Sequence, residues 1–265
     1  MWFWAPLAMI LPLAAQDAVP PLRNDGPMQV PFRCTQEDMD WAGLACSEEE
    51  PCPVYLELTA VEAAGNRIFA AGNLHTASTT LYSILLASED AGRTWREAHA
   101  RLRGTGLDHI QLLDFETGWI GGGVVFPLPQ DPFFLITTDG GRSWRRRPVW
   151  SETRPGSIHQ FRFTTRKEGV MVIDSGAGGE GGRWQRYETP DGGESWAVRE
   201  ASGSPIRLKG IAPPPAAWRV QAEAKTMSFR IERDSGEDRW TPVAAFQVKV
   251  GACKPQAAPE PPPAP

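Results

Sequence analysis

Beyond residue 16 the chain has no apolar run approaching the roughly 20 residues that a membrane-spanning helix requires, so no later segment reads as a bilayer span. Histidine is scarce. His75, His99, His109 and His159 are the only four, and none stands at a metal-ligand spacing such as His-x-Glu; they read as surface or turn residues. A basic surplus is also lacking. The formal net charge is −5, to which residues 1–16 contribute nothing, and this argues against a nucleic-acid surface. Arg145–Arg147 form the one basic run and read as a solvated strand face. Glu48–Glu50 have no second carboxylate set at calcium-loop spacing beside them and read as solvated acid. The glycine-rich "GAGGEGG" at 176–182 lacks the Lys-Ser/Thr ending of a phosphate loop and opens no helix, so it reads as a flexible loop. These absences leave no catalytic residue, metal ligand or cofactor site to assign.

What the chain does have is repetition. "SEDAGRTW" (Ser88 to Trp95), "TTDGGRSW" (Thr137 to Trp144) and "TPDGGESW" (Thr189 to Trp196) all fit Ser/Thr-x-Asp-x-Gly-x-Ser/Thr-Trp. "ERDSGEDRW" (Glu232 to Trp240) keeps Asp234, Gly236 and Trp240 but has one extra residue and no matching hydroxyls. The Trp-to-Trp spacing, on the order of 50 residues, is that of a repeat architecture with a blade-sized unit. Each unit also carries an apolar start 11 residues before a turn: Val54 to Gly65, Leu107 to Gly118, Ile158 to Gly169 and Ile206 to Ala217. Short apolar runs follow each turn, then alternating segments such as Tyr82, Ile84, Leu86 and Phe134, Ile136. Period-two segments broken by Gly, Pro and Asp turns predict antiparallel strands. The unit is therefore strand, turn, strand, loop, strand, octad, strand, and the prediction is an all-β propeller of four visible four-stranded blades over about 54–103, 104–154, 155–203 and 204–253.

The octads explain themselves as rigid turns. Asp90, Asp139, Asp191 and Asp234 are expected to accept backbone N–H groups one or two residues on. Gly92, Gly141, Gly193 and Gly236 can take positive φ. Ser88, Thr94, Thr137, Ser143, Thr189 and Ser195 can tie the loop to its own backbone, while Trp95, Trp144, Trp196 and Trp240 can cover the base of each hairpin. These octads resemble Asp-box (BNR) repeats, which lie at the rim of β-propellers such as sialidases, sortilin-type receptors and the photosystem II assembly and stability factor-like proteins. The resemblance covers roughly residues 54–250 and implies architecture, because the family hosts enzymes and binding proteins alike. "GWIGGG" followed by "TTDGGRSW" is most similar to the assembly-factor type.

At the ends, residues 1–16, "MWFWAPLAMILPLAAQ", resemble a signal peptide cleaved near Ala15, without the usual positive n-region and without a lipobox cysteine. Residues 17–53 form an N-terminal segment with cysteines, and 254–265 a Pro/Ala-rich tail expected to be disordered. Localisation is expected to be exported, periplasmic or secreted. Four cysteines in an exported chain predict two disulfides. Each blade starts 10 to 14 residues after the preceding octad Trp, and the same count from Trp240 lands near Cys253, which in a four-bladed ring is the start of blade one beside Cys52. The expected pairs are Cys52–Cys253 and Cys34–Cys46; the runner-up is Cys46–Cys52 with Cys34–Cys253.

Sialidase-like hydrolases carry an arginine cluster, a Tyr–Glu nucleophile pair and usually a Phe-Arg-Ile-Pro motif upstream of the first box. Here Phe32–Arg33 keeps only two residues of that motif, Phe229–Ile231 sits in the wrong place, and only Tyr55, Tyr82 and Tyr187 could supply the nucleophile. The reading is a non-enzymatic scaffold that binds another protein. A carbohydrate-binding or sialidase-like propeller is the alternative, with Trp119, Trp150, Trp184 and Trp218 as stacking candidates that read first as core. The loops Asn73–Thr80, Phe126–Pro132 and Gly176–Trp184 are candidate contact loops.

Overall fold

The computed structural model describes residues 20–255 apart from 177–178, 180, 209–216 and 238. The expected leader (1–16) and nearly all of the expected tail lie outside the described residues. In chain order come β1 (Leu22–Arg23), α1 (Gln36–Ala42), β2 (Cys52–Ala64), β3 (Arg67–His75), β4 (Thr80–Ser88), β5 (Thr94–Glu97), β6 (Thr105–Leu112), β7 (Gly118–Val124), β8 (Gln130–Thr137), β9 (Arg145–Pro148), β10 (Ser157–Phe163), β11 (Gly169–Asp174), β12 (Trp184–Thr189), β13 (Ala197–Ser202), β14 (Trp218–Glu223), β15 (Ser228–Asp234), β16 (Trp240–Gln247) and β17 (Lys249–Cys253). They form four antiparallel sheets among the described residues: β1-β5-β4-β3-β2-β17, β6-β7-β8-β9, β10-β11-β12-β13 and β14-β15-β16. The fold is an all-β propeller. Each sheet is a blade, and β2, β6, β10 and the start of β14 line one axial cavity.

The regular octads join the third and fourth strands of the first three blades; the fourth octad joins the last two of the three strands described in its sheet, not of a four-stranded blade as expected. Strand register makes the blades comparable, because the first octad residue always faces the start of the second strand: Ser88 opposite Ile68, Thr137 opposite Gly118, Thr189 opposite Gly169. Phe69, Trp119 and Val170 are therefore equivalent, as are Leu85, Phe134 and Arg186, and Ala87, Ile136 and Glu188. Middle strands read as near-continuous apolar runs because blades cover both of their faces; Phe133, Phe134 and Leu135 of β8 are all fully buried. Between the first two blades the core is built on Phe69, Leu85, Leu107, Phe133 and Trp144. Between the second and third it is built on Trp119, Phe134, Ile136, Phe163 and Met171. Beyond the third blade the described core holds Val172, Trp184 and Ile206, with Leu208 packed against them. Glycines allow the close approaches: a Cβ on Gly122 would stand 2.2 Å from the Gly106 carbonyl oxygen, and one on Gly141 2.2 Å from the Phe69 ring.

The N-terminal segment and the last strand close the ring. Leu22–Arg23 pair with Thr94–Trp95 at the outer edge of blade one. Asn24 Nδ2 donates to the Gly92 carbonyl at 2.9 Å and to the Val243 carbonyl at 2.7 Å, joining blade one to blade four. Met28 bridges to Phe246 of β16. Lys249–Cys253, expected inside the fourth blade, instead pair with β2 of the first. Ile206–Leu208, expected to begin the fourth blade's first strand, are not in a strand, and the rest of that stretch lies mostly outside the described residues.

The disulfides formed are the runner-up pairs, not the pairs expected first. Cys34 pairs with Cys253 (Cα–Cα 5.0 Å) and Cys46 with Cys52 (Cα–Cα 5.4 Å), so Cys52–Cys253 and Cys34–Cys46 are both corrected. Cys253 does lie directly opposite Cys52 in the β17–β2 ladder. The physical reason is that residues 34–46 are not a segment pinned on itself. Residues 28–32 run beside β16 and β17, with the Phe32 carbonyl against Gly251, and deliver Cys34 to Cys253. α1 begins with a reciprocal capping box between Thr35 and Asp38 and ends at Gly43, whose φ of 61° is left-handed. The chain then turns back, and Cys46 reaches Cys52.

Candidate functional site

The three regular octads share one hydrogen-bond plan. In the second, Thr137 Oγ1 donates to Asp139 Oδ1 at 2.9 Å and accepts the Gly141 N–H at 2.8 Å. Asp139 Oδ1 accepts the Ser143 N–H at 3.0 Å, and Oδ2 accepts its hydroxyl at 2.6 Å. Ser88, Asp90, Gly92 and Thr94 repeat this in the first octad, and Thr189, Asp191, Gly193 and Ser195 in the third. The Asp thus reaches the N–H four residues on, not one or two as expected, because the Ser/Thr two positions before it already serves the glycine. In the fourth, Asp234 accepts the Gly236 N–H at 2.7 Å, and Ser235 meets Thr241. The Asp139 carboxyl is held at about 2 by the Ser143 hydroxyl first, against partial burial, with the Ser143 N–H and Thr137 adding to it. Burial pushes Asp90 up, but Thr94 and Ser88 together bring it to about 2. Asp191 is lowered in the same way, Ser195 outweighing burial.

Each regular octad leans on the preceding blade. Trp144 meets Phe69 edge-on at 5.5 Å, and Trp196 stacks on Phe134 at 5.3 Å. Trp95 meets Phe246 of the fourth blade edge-on at 5.2 Å. Arg67 donates to the Gly140 carbonyl at 3.1 Å and Trp119 Nε1 to the Gly192 carbonyl at 2.8 Å. Arg145 and Arg147 lie on a solvated face, as expected, and both pair there with Glu194 across the second seam. Trp240 lies under Arg219 of its own blade, and nothing stands within 4 Å of a Cβ built on Gly236.

The axial cavity has a volume of about 490 Å3 and is walled by β2, β6, β10 and the start of β14. Glu62, Asp108, His109, Arg162, Phe161 and Trp218 give it its chemistry. Cavity-lining residues tie the blades together beside it: Thr59 Oγ1 donates to the Leu107 carbonyl at 2.6 Å and Gln111 Nε2 to the Phe163 carbonyl at 2.7 Å, strand to strand, and Gln160 Nε2 to the carbonyl of Ile206, outside any strand, at 3.1 Å. Burial raises the Glu62 carboxyl, with the Leu112 backbone and the Arg162 charge opposing it. Burial also raises Asp108, opposed by His109 and reinforced by the negative charge of Glu57. By surface area Asp108 is nonetheless exposed, its side chain open to the solvent of the cavity. His109 is lowered, burial outweighing Asp108. Of the tryptophans considered for stacking, Trp119 and Trp184 are buried, while Trp150 and Trp218 are half-buried, and Trp218 lines the cavity.

No sequence motif marked Glu62, Asp108 or Arg162. The available signal was positional: they are charged residues inside the first strand of successive units, where an apolar residue would be the default. Among the described residues no three His, Cys, Asp or Glu side chains come together as a metal site, and no helix is long and apolar enough to cross a membrane.

No family model matches the chain. A stretch of 122 residues is 28% identical to the photosystem II assembly lipoprotein Ycf48 of Synechococcus sp. (strain CC9902), taking in 44% of this chain and 32% of that protein; the match thus spans about a third of the relative's length. Among solved structures, YCF48 from Cyanidioschyzon merolae is 19% identical at a TM-score of 0.39, over 72% of this chain and 57% of that one. A protein of unknown function from Dyadobacter fermentans DSM 18053 is 11% identical at a TM-score of 0.23, over 71% of this chain and 76% of that one.

Proposed function

We propose that this protein is an exported, non-enzymatic β-propeller that binds another protein and serves as an assembly scaffold. The observation that carries the reading is the 122-residue similarity to a protein described as an assembly lipoprotein. The geometry supports it. The octads spend their Asp and hydroxyl groups on their own turns, in keeping with the Asp-box resemblance, and leave the loops of the opposite face and the axial cavity to meet a partner. The two disulfides suit an oxidising compartment and support export.

The test is capture from native envelope or secreted fractions with the oxidised protein as bait, followed by reconstitution with the purified candidate. A single partner bound at micromolar Kd or tighter is the expected result. Turnover of fluorogenic sialosides or other glycosides that disappears in Tyr187→Phe or Arg33→Ala would overturn it.

A further inference from the structure

The axial cavity has a chemistry that the scaffold reading does not use. Glu62 feels the charge of Arg162, which eases its own. Asp108 is different. It faces the cavity with Glu57 as a like-charged neighbour, and the basic group that eases its charge is His109, which burial keeps toward its neutral form. Phe161 and Trp218 bring aromatic surface to the same walls. Carboxylate and aromatic faces in one cavity of about 490 Å3 complement a planar organic cation, which pairs with the first and stacks on the second.

We propose that the axial cavity receives a guanidinium group, an arginine side chain presented by the bound protein, held by Asp108 and the aromatic walls of Phe161 and Trp218. This rests on the protein-binding reading. A guanidinium fits better than an ammonium because it can pair with the carboxylate through two N–H groups while its plane lies on a ring.

The experiment needs no identified partner. Nα-acetyl-arginine methylamide, Nα-acetyl-lysine methylamide and Nα-acetyl-citrulline methylamide are titrated into the oxidised full chain, followed by chemical-shift changes and by Trp fluorescence. The expected result is a Kd on the order of 1 mM for the arginine probe. The citrulline probe, its neutral near-isostere, should bind about tenfold more weakly, and the lysine probe should fall between them. Asp108→Asn, nearly the same in size, should lose about tenfold for arginine and nothing for citrulline, and Trp218→Leu should weaken both. Unchanged thermal melting shows that the variants are folded; should Asp108→Asn melt early, salt titration of the unmodified protein must still weaken the arginine and lysine probes and leave the citrulline probe unchanged. Equal binding of arginine and citrulline, or no binding by any probe, overturns the proposal. Because no partner protein enters the assay, its failure is distinguishable from a failure of scaffold function, which the capture experiment reads on its own.

Discussion

Trp95 and Trp240 occupy the same position in their octads and meet different surroundings. Trp95 is 1% exposed, meets Phe246 of the neighbouring blade, and donates its indole N–H to Gly92 at 3.1 Å. Trp240 is half-buried and lies against Arg219 of its own sheet. The same contrast separates two seams of the ring. Between the fourth and first blades, Asn24, Met28, the β17–β2 ladder and Cys34–Cys253 cross the join. Between the third and fourth, the positions held by Phe134 and Ile136 in blade two are Arg186 and Glu188, which pair with each other and with Glu200 and Arg199. A fold of repeated units can thus be sealed unequally: an apolar flank asks for a neighbouring blade, and a flank that satisfies its own charges does not.

The largest effect that could break this comparison is at the disulfides. Removing Cys34–Cys253 (Cys34→Ser with Cys253→Ser) opens a loop of 219 residues and should cost about 5 kcal/mol in the chain-entropy account, less any native strain. Removing Cys46–Cys52 opens a loop of 6 and should cost about 2 kcal/mol. Denaturant melts of the two double variants measure both; equal losses would mean that the long bridge does not hold the ring.

Next come the tryptophans. Trp95→Ala and Trp144→Ala each remove a buried ring from a seam and should cost about 3–5 kcal/mol, whereas Trp240→Ala should cost about 1 kcal/mol. If Trp240→Ala matches Trp95→Ala in thermal melting, the fourth octad is sealed after all.

The octad carboxylates come third. Asp90→Ala, Asp139→Ala and Asp191→Ala should each cost about 1–3 kcal/mol through donors left unsatisfied, and Asp234→Ala less. Their pH signature has a definite sign. Asp90 and Asp139 are depressed from 3.8 to about 2 in the fold, so their contribution is complete above about pH 4 and is lost as pH falls toward 2. Melting temperature should drop across that interval, and Asp139→Asn should flatten the drop; an unchanged acid limb would remove these groups as its source.

The smallest effect sharpens the comparison among the regular octads. Ala91 holds φ of 59° where the other two place Gly140 (74°) and Gly192 (79°). Ala91→Gly should raise stability by up to about 1 kcal/mol, as relief of left-handed strain exceeds the added chain entropy. A fall in calorimetric melting temperature would contradict it.

Much of this was legible in the chain. The octad spacing and the alternation of β4 and β8 report local turn chemistry and two-sided burial, both properties of short stretches. The disulfide pairing was not legible, because it depends on where residues 28–34 lie against β16 and β17, contacts more than 200 residues apart. The cavity residues were hidden for a related reason: Asp108 and Trp218 are ordinary strand residues until the ring brings them to one axis. The polar flank of blade three could have been read from Val170, Arg186 and Glu188, had strand register been known, since register alone aligns them with Trp119, Phe134 and Ile136.

Cys34 and Cys253 lie 5.0 Å apart at their Cα atoms, although 219 positions separate them. The firmest join is therefore made between residues far apart in sequence, and among the described residues the seam with the fewest joins lies between the third and fourth blades. A circular permutant that links residue 34 to residue 253 through a short Gly-Ser bridge, with new ends opened near residue 205, would relocate the termini from the strongest join to the weakest. Its blades would then be translated in the order four, one, two, three, while their order around the axis stays the same.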